Sequence, residues 1–136
     1  MDNDALRQDT QAKMAKFDVR PPDCWLSAKS FSGGNQQKIV VAREIERNPD
    51  LLLIGQPTRG VDIGAIENIH RKLLEMRNTG KGILLVSADL DEILKLSDDI
   101  AVMYEGKIVS KFENGYYNKT QIGSLMTGAL PNEQSI

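Results

Sequence analysis

Two short apolar runs, Leu51-Leu52-Leu53-Ile54 and Gly82-Ile83-Leu84-Leu85-Val86-Ser87, constrain this chain more than any other feature. Each has strand length and no polar alternation, the pattern of a strand covered on both faces. Between them lies a stretch of helical period. Asp62 is placed to cap it, Ile63, Ile66, Ile69, Leu73, Leu74 and Met76 form its apolar stripe, and Gly80 ends it. A strand, a helix and a second strand in that order make a parallel crossover unit. The expected class is therefore α/β with a mostly parallel sheet.

Upstream, Phe31-Ser32-Gly33-Gly34-Asn35-Gln36-Gln37-Lys38 leads into an apolar-rich helical run that reaches Ile45 and stops at Asn48-Pro49. Ser32 suits an N-cap, and two residues without side chains follow it. A helix start of this kind presents unpaired N–H groups and a partial positive charge at a point that can be approached closely, which suits a phosphate. The Ser32 hydroxyl adds a donor. Taken alone, Ser-Gly-Gly is more simply a hinge before an ordinary capped helix.

The flanks add elements without adding chemistry. Residues 2–17 read as a helix capped by Asp2 or Asn3, with Leu6, Met14 and Phe17 roughly on one side, and residues 18–29, with Pro21-Pro22, as a loop. Asp89 caps a short helix with Glu92 in the capping-box position and Leu90, Ile93 and Leu94 inward. Residues 98–104 and 107–112 read as a hairpin turning at Glu105-Gly106, and the tail from Asn118 to Gly128 as a helix. His70, on the helix after Asp62, has no acid or nucleophile spaced to serve it and reads as a partly exposed helix residue.

Composition excludes several functions. With 136 residues, 40% hydrophobic and 26% charged, the chain is one globular domain's worth. A net charge of −2 with interspersed signs leaves no footprint for nucleic acid. One cysteine, Cys24 beside Trp25, permits no internal disulfide and fits a reducing compartment. One histidine and one cysteine make a zinc site improbable. No apolar run approaches the ~20 residues that span a bilayer, and no signal peptide is read at Met1. The expected place is the cytoplasm.

The order of motifs resembles the nucleotide-binding subunit of ABC transporters. There a Ser-Gly-Gly-x-Gln signature leads to a Walker B strand, a D-loop ending in Asp, and a strand followed by a switch histidine. Ser-Gly-Gly-Asn-Gln-Gln-Lys, Gln-Pro-Thr-Arg-Gly and the ending Ile122-Gly123-Ser124-Leu125-Met126-Thr127-Gly128 are similar to the branch that imports sugars and nucleosides. The resemblance covers nearly the whole chain, as a C-terminal part of a second ATP-binding domain. It implies a helical signature subdomain over 1–47, the Walker B, D-loop and switch part of the ATPase core over 48–112, and a tail over 113–136.

The resemblance also shows what has been lost. No G-x-x-x-x-G-K-[ST] loop is present, and Gly106-Lys107 is a hairpin turn lacking the first glycine and the Ser or Thr. The family has Asp-Glu where Gly55-Gln56 stand, so the magnesium carboxylate and the general base are both missing. Ala88 falls at the switch-histidine position; Asp89 and Asp91 are helix-start residues rather than replacements. The set that would act on a partner's nucleotide is kept: Ser32, Gly33, Gly34, Asn35, Gln36 and Asp62. The implied function is to supply this signature in trans to ATP with Mg bound by a P-loop-bearing domain, with no intact catalytic residue and no metal of its own. The implied partners are that other ATP-binding domain and the transmembrane permease subunits, at the inner face of the membrane. A free-standing, non-enzymatic binding or assembly module derived from such a subunit is the alternative. The P-loop strand would sit between strands 82–87 and 98–104. Those strands are expected to pair with each other or with another copy, and the isolated chain to be a homo-oligomer.

Overall fold

The computed structural model describes residues 3–129. In chain order it contains α1 (Asn3–Lys16), a single 3-10 turn (Ala28–Ser30), α2 (Gly33–Glu46), β1 (Leu51–Gly55), α3 (Ile63–Asn78), β2 (Gly82–Val86), α4 (Leu90–Leu96), β3 (Asp99–Tyr104), β4 (Lys107–Glu113) and α5 (Lys119–Met126). The chain divides into two compact units, one ending at Val86 and the other starting at Ser87.

In the first unit, β1 and β2 pair in parallel with Leu53 opposite Leu84, joined by the α3 crossover. Caps set the helix starts. The Ser32 side chain accepts from the Asn35 amide, and that of Asp62 from the Ala65 amide. A glycine with φ +85, Gly80, lets the chain leave α3 where a residue with a Cβ would be strained. One core cluster joins Met14, Phe17, Val19 and Phe31, with Ile39, Ala42, Ile45 and Cys24 packed against it. Phe17 is almost fully covered, and burying such a side chain contributes about 1.5–3 kcal/mol. Cys24 therefore has a packing role, while its neighbour Trp25 is 75% exposed.

The second unit is the hairpin β3–β4 with α4 and α5. Ile100, Val102, Phe112, Ile122 and Leu125 form its core, and Leu90, Ile93 and Leu94 of α4 pack against them as their spacing implies. Glu105 and Gly106 both have positive φ, the geometry of a two-residue hairpin turn, so the Gly-Lys pair is a turn. The Asn118 side chain accepts from the Gln121 amide while Gln121 accepts from the Asn118 amide, a reciprocal cap that starts α5.

Of the two arrangements expected for strands 82–87 and 98–104, direct pairing is not formed: β2 pairs with β1 and β3 with β4, in two separate two-stranded sheets. A hairpin closed by two residues has little loop entropy to overcome. Three expectations are corrected. β1 and β2 are not covered on both faces. Leu51, Leu53, Leu84 and Val86 share one face and are more than half exposed, Leu53 at 69%. An apolar run states that a face prefers cover, not which chain segment provides it. His70 is buried rather than partly exposed, at 5%, because it sits between Ile69 and Leu73 on the inward side of α3. Leu6 and Ile63, assigned to apolar stripes, are exposed near the beginnings of their helices, beyond the reach of the core. The Asp2 cap lies outside the described residues.

Candidate functional site

The site grows from two helix starts in the first unit. α2 begins at Gly33 after Ser32, whose extended backbone (φ −60, ψ 158) lets its hydroxyl fold back over the first turn. Ser32 Oγ accepts from the Asn35 side-chain amide at 2.9 Å and from the Asn35 backbone N–H at 3.4 Å. Gln36 braces the entering chain: its Nε2 donates to the Phe31 carbonyl at 2.8 Å and its backbone N–H to the Ser32 carbonyl at 2.9 Å. The first amides of a helix have no intrahelical acceptor, and here Gly33 and Gly34 hold those positions. No acidic residue occupies the first turn of α2. An anion beside Gly33 meets the positive end of the macrodipole with no Cβ to keep it away, whereas the side-chain position of the buried Gly34 is filled by Asp62 and Ala65.

The second helix start comes down on the first. From the end of β1 the chain passes through two turns, Arg59 N–H to the Gln56 carbonyl and Val61 N–H to the Thr58 carbonyl, around a buried Pro57. It reaches Asp62, whose Oδ1 accepts from the Ala65 amide at 2.9 Å. Its other oxygen faces Gly34 so closely that a Cβ there would lie 2.7 Å from Asp62 Oδ2 and 3.3 Å from Ala65 Cβ. A Cβ added at Gly33 would meet only the Gly60 carbonyl oxygen, at 3.5 Å, an ordinary contact distance. Gly34 is thus the residue that lets the Asp62 cap come down on the first turn of α2. Ser32, Gly33, Gly34, Asn35, Gln36 and Asp62 all belong to this one junction.

The other expected site residues are Gly55, Gln56 and Ala88. Gly55 ends β1 in open space, and a Cβ there would meet nothing within 4 Å. Gln56 follows with φ +49, and its N–H donates to the Val86 carbonyl at 2.7 Å. Neither offers a carboxylate, so the strand end does not suit a divalent cation. No cluster of three or more His, Cys, Asp or Glu among the described residues is arranged to hold a metal. Ala88 belongs to the second unit, exposed, next to Asp89, which caps α4 by accepting from the Asp91 and Glu92 amides. Asp91 pairs with Lys119 at 2.6 Å, so both carboxylates serve the helix start and its surroundings.

Sequence reasoning missed what holds the junction from behind. Asn35 Oδ1 accepts from the Arg20 backbone N–H at 2.8 Å. One helical turn on, the buried Lys38 donates to the Asp18 carbonyl at 2.9 Å and to its carboxylate at 3.3 Å. Asp18 is in turn bonded by Arg20 at 2.9 Å, and the Arg20 guanidinium, then the Lys38 ammonium, hold its carboxyl below the usual carboxylate range. A lysine at an inward helical position was the available signal, since a buried ammonium requires acceptors nearby.

The fold is that of part of an ABC ATPase cassette. A dimeric ATP-binding cassette solved in a post-hydrolysis state with ADP and Pi superposes at a TM-score of 0.73, over 86% of this chain and 50% of that one, at 21% identity. No family model matches the chain. Relatives among curated proteins do. The nucleoside import ATP-binding protein NupA of Lactococcus lactis is 48% identical over 98% of this chain. The guanosine import ATP-binding protein NupO of Bacillus subtilis is 49% identical over 88% of it. Over most of its length the chain matches a C-terminal part of ATP-binding proteins of sugar and nucleoside importers, which are ABC ATPases. It spans about a quarter of their length, 26% of NupA and 24% of NupO. No helix among the described residues is long and apolar enough to cross a membrane.

Proposed function

We propose that this chain serves in the ATP-binding subunit of a sugar or nucleoside importer, where its α2–α3 junction completes an ATP site held by a P-loop-bearing domain. The observation that carries this is the contact of Gly34 with Asp62, which merges the signature and the D-loop into one surface. Ser32 donates its hydroxyl to a phosphate oxygen, and the Gly33 and Gly34 amides add partial positive charge. Asn35 and Gln36 hold that turn in shape, and Asp62 faces the same shared site. Bound in the partner domain, ATP with Mg supplies the transferable phosphate. This chain's own residues contribute orientation and charge stabilisation in a site closed to water, where such donors gain most.

Its own nucleotide position is inert on this reading. Gly55 gives a metal nothing, Gln56 accepts no proton, and Ala88 has no group to reach a phosphate. Residues 1–47 act as the signature subdomain, 48–112 as the core part and 113–136 as the tail. Permease subunits at the cytoplasmic face of the membrane are the further partners.

ATP turnover tests the proposal, measured for the isolated chain, for the chain paired with a P-loop-bearing ABC domain, and for variants of the pair. The isolated chain is expected to be inactive, because one exposed helix N-terminus contributes only ~0.3–1 kcal/mol towards holding an anion. Pairing is expected to give turnover that Ser32→Arg or Gly34→Asp abolishes and Gln56→Glu leaves unchanged. Robust hydrolysis by the isolated chain, or rescue of its own site by Gln56→Glu alone, overturns the assignment.

A further inference from the structure

We propose that Asn35 is a positioning residue that sets the Ser32 hydroxyl as an outward hydrogen-bond donor and ties it to the strap formed by residues 18–20. The inference rests on the signature reading above and adds to it the polarity and support of its serine.

A hydroxyl has two lone pairs and one proton. On Ser32 the lone pairs face two donors from the same residue, the side-chain and backbone N–H groups of Asn35, at 2.9 and 3.4 Å. The proton is what remains to offer, and it suits a ligand that only accepts, such as a phosphate oxygen. Which end of the Asn35 amide faces Ser32 is settled by its other end, because Oδ1 must face a donor and meets the Arg20 backbone N–H at 2.8 Å. Arg20 is held in place through Asp18, which Lys38 grips one turn further along α2. Positions 35 and 38 are neighbours on one helical face. The strap is therefore fastened to α2 at two points, one of which orients the serine. Beyond Arg20 the same loop carries the exposed Trp25, so a displacement of that loop reaches Ser32 through one side chain.

Two measurements test this. In the isolated chain, amide hydrogen exchange at Arg20 reads the strap. Asn35→Ala is expected to lose the protection and Asn35→Asp to keep it, since a carboxylate still accepts but no longer donates. In the paired assembly, ATP turnover reads the serine. Ser32→Ala, Asn35→Ala and Asn35→Asp are each expected to lower it roughly tenfold or more, the scale of one hydrogen bond to a charged group. Ser32→Ala combined with either Asn35 variant is expected to fall no further. Asn35→Asp with wild-type turnover overturns the proposal, as do losses that add in the double variants, which is how a plain charge effect behaves. Unchanged Arg20 protection in Asn35→Ala removes the strap. Absence of turnover in the wild-type pairing refutes the signature reading, and the role built on it, while the exchange result still judges the strap.

Discussion

Replacing Gly34 by Ala sets two opposing effects against each other. Alanine is favoured over glycine within a helix by up to ~1 kcal/mol, and by less in the first turn. The new Cβ, however, would lie 2.7 Å from Asp62 Oδ2, closer than such atoms approach, and 3.3 Å from Ala65 Cβ. The carboxylate cannot simply rotate away, because Oδ1 on the same group caps α3 through the Ala65 amide at 2.9 Å. Turning it forfeits a cap worth ~1 kcal/mol. Keeping it forces the helices apart at an overpacking cost of about 1–3 kcal/mol. The clash wins, and Gly34→Ala is expected to destabilise the first unit by about 1 kcal/mol net. Gly33→Ala is the control: its Cβ meets only the Gly60 carbonyl at 3.5 Å, so it is expected to be neutral or slightly stabilising. Urea unfolding followed by amide exchange in α2 and α3 reads both. A double-mutant cycle isolates the cause, since Asp62→Ala already lacks the cap and the clashing oxygen. Gly34→Ala should then cost little in that background. If Gly34→Ala stabilises as Gly33→Ala does, or if its cost is unchanged without the Asp62 carboxylate, the contact does not govern the junction.

Acid should loosen the strap. The Asp18 carboxyl titrates below the usual range because of Arg20 and then Lys38, so its contribution is present above about pH 4 and lost as pH falls through its lowered folded value. Asn at position 18 should flatten that part of an acid unfolding curve, and a curve identical to wild type below pH 4 refutes it. Gln56→Gly should be neutral or stabilising by up to ~1 kcal/mol in thermal melts, because φ +49 strains a residue with a Cβ; a clear loss refutes the strain. Leu53→Gln with Leu84→Gln should reduce self-association in sedimentation at micromolar concentration without lowering stability, since both side chains are more than half exposed. Unchanged association removes this face from any self-contact.

Local signals were legible in the sequence wherever one residue type does one job. Ser32, Asp62 and Asp89 cap the three helices their spacing assigned to them. The parallel pair β1–β2 follows from two apolar runs around one amphipathic helix. What was not legible depends on residues distant in sequence meeting in space. Nothing in the spacing of Gly34 and Asp62, 28 positions apart, states that one must be small because the other is charged. Nor does Asn35 announce that its amide reaches back fifteen residues to Arg20. The open face of Leu51, Leu53, Leu84 and Val86 was misread for a simpler reason: apolarity records a preference for burial and not its fulfilment.

The Gly34–Asp62 contact also has a mechanical side. The first turn of α2 and the cap of α3 meet at this one place, which would act as the pivot of any tilt between the two helices. α2 has 14 residues, so it is ~21 Å long. A tilt of about 5° about that point carries its far end, near Glu46, through ~2 Å while Ser32 hardly moves. Such a swing, like that of a clock hand, is resisted along the helix, because Ile39, Ala42 and Ile45 pack against the core cluster and Glu46 pairs with Lys16 at 2.6 Å.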